Sequence, residues 1–210
     1  MWGVLLALVL LAGSPTAPVA ATNAVPGFGA GPTTHAPLHQ DRSVVVERRD
    51  GNVTIEQDGD LRFVETWEVR FDGGPFRFAF RDIPLDRLTG ISDWSVRANG
   101  QQYQNSDSTM QGTFLVAGDG GSERITWYFP PATNETRVFE LSYTVEGALR
   151  IYEDGDQFFW KYIEADREYT INNARVVVNL PGSFAADEIL TRTYINVEDA
   201  GFGEEVDSST

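Results

Sequence analysis

The sequence predicts an all-β domain, an antiparallel β-sandwich of Ig-like or jelly-roll-like type, on three observations. Apolar and polar residues alternate at period two in several separate windows. Asp-Gly and Asn-Gly dipeptides punctuate those windows, and no window sustains a helical apolar period. Period two sends successive side chains to opposite faces of a strand, so one face can be buried while the other meets water.

Residues 1–21 read as a secretory signal peptide, with a buried N-terminal strand or helix as the competing reading. Val4 to Ala12 is a short apolar run, and Val19-Ala20-Ala21 offers small residues for cleavage after Ala21. The run is shorter than the roughly 20 apolar residues that cross a bilayer. Residues 22–42 form a linker rich in proline and glycine, with no periodicity. Both histidines, His35 and His39, fall in it. Pro37 between them opposes a helix and no third ligand is near, so the pair reads as solvated linker and not as a metal site.

The β-sandwich is expected over residues 43–195. Leu61, Phe63, Trp67, Val69 and Phe71 share one strand face, with Arg62, Thr66, Glu68 and Arg70 on the other. The alternation returns at Ile125, Trp127 and Phe129, at Phe139, Leu141, Tyr143 and Val145, and at Val176, Val178 and Leu180. Asp50, Asp58, Asp72, Asp119 and Asp154 each precede a glycine, and Asn99-Gly100 adds a further pair. Such dipeptides supply the positive φ angles of tight hairpins and are expected at turns. Residues 196–210 are acidic and read as a disordered tail.

Composition excludes several chemistries. The chain has no cysteine, which removes thiol nucleophiles, thiolate metal sites and disulfides. A net charge of -15 opposes binding to nucleic acid or to an anionic membrane surface. A Ser-His-Asp triad needs a histidine held by the fold, and both histidines lie in the linker. Glu65 and Glu68, three apart on a strand, face opposite sides and cannot flank one glycosidic bond. Asp58-Gly59-Asp60 and Asp154-Gly155-Asp156 lack the length and ligand spacing of a calcium loop. No catalytic residue, cofactor or metal is therefore expected.

Two sets of residues stand out. Phe158, Trp160 and Tyr162 form one strand face, and Phe159, Lys161 and Ile163 the other. Aromatics on both faces put one set at an outer surface or under another element. Phe158, Trp160 and Tyr162 are the candidate interaction surface, with core packing as the competing reading. Glu65 is the one charge on the apolar face that runs from Leu61 to Phe71, and a carboxylate there must take up a proton, lie where the sheet is open to water, or pair with an arginine. For the paired case Arg81 is the expected partner, as a structural lock that pins the segment after the hairpin to the sheet, with a ligand site as the competing reading.

The ordered motifs resemble a known family. They run through Asp58-Gly59, Val64-Glu65-Thr66, Arg81-Asp82-Ile83-Pro84, the stretch Leu141 to Gly147, Phe159-Trp160, and Val176-Val177-Val178-Asn179-Leu180-Pro181. Together they are similar to the extracytoplasmic N-terminal domain of bacterial predicted membrane proteins grouped as domain of unknown function 2207, over roughly Ser43 to Phe184. The resemblance implies an exported β-sandwich followed by transmembrane helices, and it carries no assigned catalytic activity. The function expected is a non-catalytic extracytoplasmic module for interaction or sensing at the cell envelope. Its partner would be a membrane protein or another envelope component. A glycan-binding or glycan-cleaving sandwich is the alternative. The module would be membrane-tethered if the chain belongs to a longer protein, and secreted otherwise.

Overall fold

The structure is a computed structural model that describes residues 42–118, 120–153, 155–164 and 167–194, together with the backbone of 3–9. The expected linker up to residue 41, with His35 and His39, the acidic tail, Asp119 and Asp154 lie outside the described residues. The strands are β1 (Gly3–Val9), β2 (Ser43–Ile55), β3 (Leu61–Asp72), β4 (Phe76–Pro84), β5 (Gly90–Ala98), β6 (Gln101–Gln102) and β7 (Gln104–Asn105). They continue as β8 (Thr113–Gly118), β9 (Ser122–Ala132), β10 (Glu135–Glu146), β11 (Leu149–Arg150), β12 (Gly155–Lys161), β13 (Thr170–Ile171), β14 (Ala174–Asn179) and β15 (Ile189–Tyr194). A single 3₁₀ turn, Ala186–Glu188, is the only helical element among the described residues.

The molecule is all-β, and its layers are one long sheet faced by two short ones. The long sheet runs β13-β2-β3-β10-β5-β6, with β14 also paired to β2. One short sheet is β4-β9-β8-β7 and the other β11-β12-β1-β15. Hairpins link β2 to β3 at Asp58-Gly59 and β5 to β6 at Asn99-Gly100, where Gly59, Asn99 and Gly100 all take positive φ. The expected β-sandwich is present, and parallel pairs accompany its antiparallel ones. β14 and β13 join β2 in parallel, β1 is parallel to β12 and β15, and β7 to β8. A parallel pair needs a crossover connection, and β2 and β14 are joined through most of the domain.

Gly3–Val9, inside the expected signal peptide, forms β1 between β12 and β15. Cleavage after Ala21 would vacate that place in the short sheet.

The long sheet's inner face is divided lengthwise between two apolar clusters. At one end Leu61 and Phe63 of β3, Val53 and Ile55 of β2, and Tyr143 and Val145 of β10 pack on Phe158, Trp160 and Tyr162. At the other, Trp67, Val69 and Phe71 of β3, with Phe139 and Leu141 of β10, pack on Phe114 of β8 and Ile125, Trp127 and Phe129 of β9. Glu65 sits in β3 between the two.

The expectation of a turn at Asp50-Gly51 is corrected, because the pair lies inside β2. The ring of Tyr162 occupies the space where a side chain at 51 would stand; a Cβ there would lie 2.9 Å from three Tyr162 atoms. Gly51→Ala is therefore expected to cost about 1–3 kcal/mol, as overpacking does. Gly182→Ala, whose Cβ would meet only Phe184 at 3.8 Å, should stay within about 0.5 kcal/mol of the parent. Urea unfolding of the two variants checks the difference.

Candidate functional site

The site grows from a parity change in β2. Val46 faces inward, and a strict alternation would turn Arg48 inward after it. The β2–β3 register shifts between Val46 and Arg48, and this bulge turns Arg49, Gly51, Val53 and Ile55 inward instead. Arg49 thereby enters the sheet's inner face beside Glu65, and both side chains are 0% exposed.

Glu65 accepts four hydrogen bonds and makes one further ion-pair contact. Its Oε2 accepts from Arg49 Nη2 at 3.0 Å, Arg49 Nε at 3.3 Å and Trp67 Nε1 at 2.8 Å. Its Oε1 accepts from the Tyr143 hydroxyl at 2.5 Å and faces Arg81 Nε at 3.2 Å. Arg81 comes from β4, whose pairing with β9 sets Arg81 opposite Ile125. The structure thus places Glu65 beside Arg81, the cation named from the sequence, and adds Arg49.

Glu164, on the segment after β12, closes the arrangement. Arg49 Nη1 donates to its Oε2 at 3.1 Å, Arg81 Nη1 pairs with its Oε1, and the Tyr169 hydroxyl lies 3.5 Å from Oε2. Two guanidinium and two carboxylate groups form a cycle of zero net charge. Trp67 and Tyr162 cover the Arg49 guanidinium, with ring centroids 4.1 and 4.4 Å from Cζ. Glu65, Arg49 and Arg81 are buried, whereas the Glu164 side chain is 30% exposed and reaches the surface.

Burial is the largest influence on the Glu65 carboxyl and pushes its pKa up. The charges of Arg49 and Arg81 and the bonds from Tyr143 and Trp67 together outweigh it, so the pKa falls from 4.5 to about 2. Burial, aided by the Glu65 charge, pushes the Tyr143 phenol well above its ordinary value. Tyr143 therefore stays a proton donor to Glu65.

Above the cycle opens a groove of about 1510 Å³, walled by β4 on one side and by β11, β12, Glu164 and residues 167–170 on the other. Trp67 and Glu164 line it. Phe78, Phe80 and Phe159 reach it as well, each about half exposed.

The interaction surface expected from Phe158, Trp160 and Tyr162 is corrected. All three are buried: Phe158 and Trp160 of β12 pack on Phe63 of the long sheet, and Tyr162, just after β12, packs on Arg49. Phe159 and Lys161, on the opposite face, are the exposed ones. Sequence reasoning also missed Arg49 and Glu164. The change from even to odd apolar positions along β2, Val44 and Val46 against Val53 and Ile55, was the available signal for Arg49. Glu164 stands on a connection and carries no comparable signal.

A family model described as the predicted membrane protein (DUF2207) N-terminal domain matches residues 45–209. The chain belongs to that family. No match was found among curated proteins. Among solved structures the chain is similar to an M1 zinc metallopeptidase from Deinococcus radiodurans, at 19% identity and TM-score 0.30, over 50% of this chain and 21% of that one. It is also similar to the group B streptococcus pilus 2b backbone protein, at 9% identity and TM-score 0.35, over 51% and 43%. A putative nutrient binding protein from Legionella pneumophila shares 11% identity at TM-score 0.29, over 49% and 39%. The chain spans less than half the length of each of these. At such scores the likenesses carry no functional inference.

The charge cycle makes stability depend on pH in one direction. The carboxyl of Glu65 is depressed on folding, so its contribution is complete above about pH 4.5 and is lost as pH falls toward 2. The shift corresponds to about 3 kcal/mol. Urea midpoints of the parent should fall more steeply between pH 5 and pH 2 than those of Glu65→Gln, as an order-of-magnitude window set by the two pKa values. At pH 7, Glu65→Ala should cost roughly 3–5 kcal/mol, because it leaves two buried guanidinium groups short of a carboxylate.

Proposed function

We propose that this membrane-associated domain is a non-catalytic extracytoplasmic module that binds a partner in the groove above the charge cycle. The observation that carries this reading is the division of labour at the groove. Glu65, buried beneath the groove, and Glu164, on its lining, are committed to Arg49 and Arg81, while Phe78, Phe80 and Phe159 on its walls stand half exposed. A general acid at neutral pH needs a raised pKa, and Glu65 is displaced the other way. The surface is therefore suited to recognition.

A glycan ligand is the second reading. It is favoured by the concavity of the groove and by Phe78, Phe80 and Phe159 on its walls, since sugars stack on such rings. Glycan binding would weaken in Phe80→Ala and be indifferent to charge reversal at Lys161.

The compartment is tested directly because the chain has no cysteine. With Thr109→Cys in the exposed loop before β8, a membrane-impermeant maleimide should label the protein in intact cells. Labelling that requires lysis would contradict the extracytoplasmic reading.

A further inference from the structure

We propose that the groove takes an extended acidic polypeptide segment, which adds as a strand to the free edge of β4. The inference rests on the interaction reading above and names the partner chemistry. Three independent observations converge on it.

The first is the edge itself. β4 is the terminal strand of its sheet, and β9 is its only paired neighbour among the described residues. Its nine residues all line the groove. An edge strand leaves alternate backbone N–H and C=O groups unpaired, which is a template for a further strand. This edge is open and, at Phe78 and Phe80, apolar.

The second is charge. The chain carries -15 overall, with 16 Lys and Arg against 31 Asp and Glu. Among the described residues, the groove reverses that balance, with eight basic side chains against four acidic ones. Arg81 and Arg124 are held by Glu65, Glu164 and Asp82. Arg77 on β4, Arg87, Arg150 on β11 and Lys161 on β12 have no carboxylate partner among the described residues. Cations thus stand on both walls, where acidic side chains of an inserted strand would lie, on a molecule whose remaining surface repels anions.

The third is an unmet donor. The indole N–H of Trp160, a buried residue that lines the groove, has no hydrogen-bond acceptor among the described residues. A buried donor left so is costly, and a carbonyl or carboxylate that reached it from the groove would satisfy it. A flat bilayer surface cannot follow a concave slot between two sheets. A strand can, with its acidic side chains toward Arg77 and Lys161 and its apolar ones toward Phe78 and Phe80.

The test uses the full chain and a synthetic peptide of alternating Glu and Val about ten residues long, enough to span β4. Binding is read by fluorescence titration, and its place by hydrogen exchange. The peptide should bind, and the amides of β4 should gain protection only in its presence. Affinity should fall roughly tenfold or more in Arg77→Glu/Lys161→Glu and should weaken with salt. Methylating the peptide's amide nitrogens at one parity should abolish binding, while the other parity is tolerated. Equal affinity for a Lys-for-Glu peptide, or binding without protection of β4, would overturn the proposal. Binding of phosphatidylglycerol vesicles or of a neutral glucan in place of the peptide would overturn it as well. The maleimide labelling is untouched by any of these results, so failure here is distinct from failure of the exported-module reading.

Discussion

A carboxylate in the middle of a buried sheet face is the constraint around which this domain is arranged. Glu65 cannot stay ionised there alone, because taking an unpaired charge out of water costs many kcal/mol. Each of its neighbours answers that demand from a different part of the chain. β2 bulges to bring in Arg49, β4 delivers Arg81, β10 offers Tyr143, and β3 itself returns Trp67 two residues on. Glu164 then balances the second guanidinium charge from the segment after β12. Strands of all three sheets or their flanking segments meet at this one point.

Such a cycle does not imply high stability. Buried ion pairs often do no better than apolar residues of equal volume, but removing one partner is severe. Its consequence here is specificity. A slip of one residue between β3 and either neighbour would turn Glu65 outward and Val64 or Thr66 inward, leaving Arg49 and Arg81 buried without a carboxylate. The cycle also interrupts the apolar face of β3 between two clusters, both of which Trp94 and Ile171 border. The two short sheets sit side by side over this polar break, and the groove is the gap between them. The same feature that fixes register therefore leaves an open slot on the surface.

The fold was legible where one strand face alternates without interruption. Leu61 to Phe71 and Phe139 to Val145 show their buried face directly, and Glu65 stands out as the exception. Other features were hidden for identifiable reasons. Arg49 was concealed by the bulge, because a strict period assigns it to the solvent face. Gly51 looked like a turn residue, and its small size serves instead to admit the Tyr162 ring. Strand β12 carries aromatics on both faces, so periodicity could not decide which face packs inward; contact with Phe63 does. Glu164 lies outside any periodic window and reaches Arg81 across 83 residues of sequence. The parallel pairing of β14 with β2 is equally non-local.

The central claim is that Glu65 and its arginines act as one unit and not as independent contributors. A double-mutant cycle on Glu65→Ala and Arg81→Ala, read by equilibrium unfolding at neutral pH, tests it most directly. The double variant should cost clearly less than the sum of the single variants, with a coupling of about 1–3 kcal/mol. Losses that add within about 0.5 kcal/mol would show that the two side chains do not depend on each other and would contradict the account.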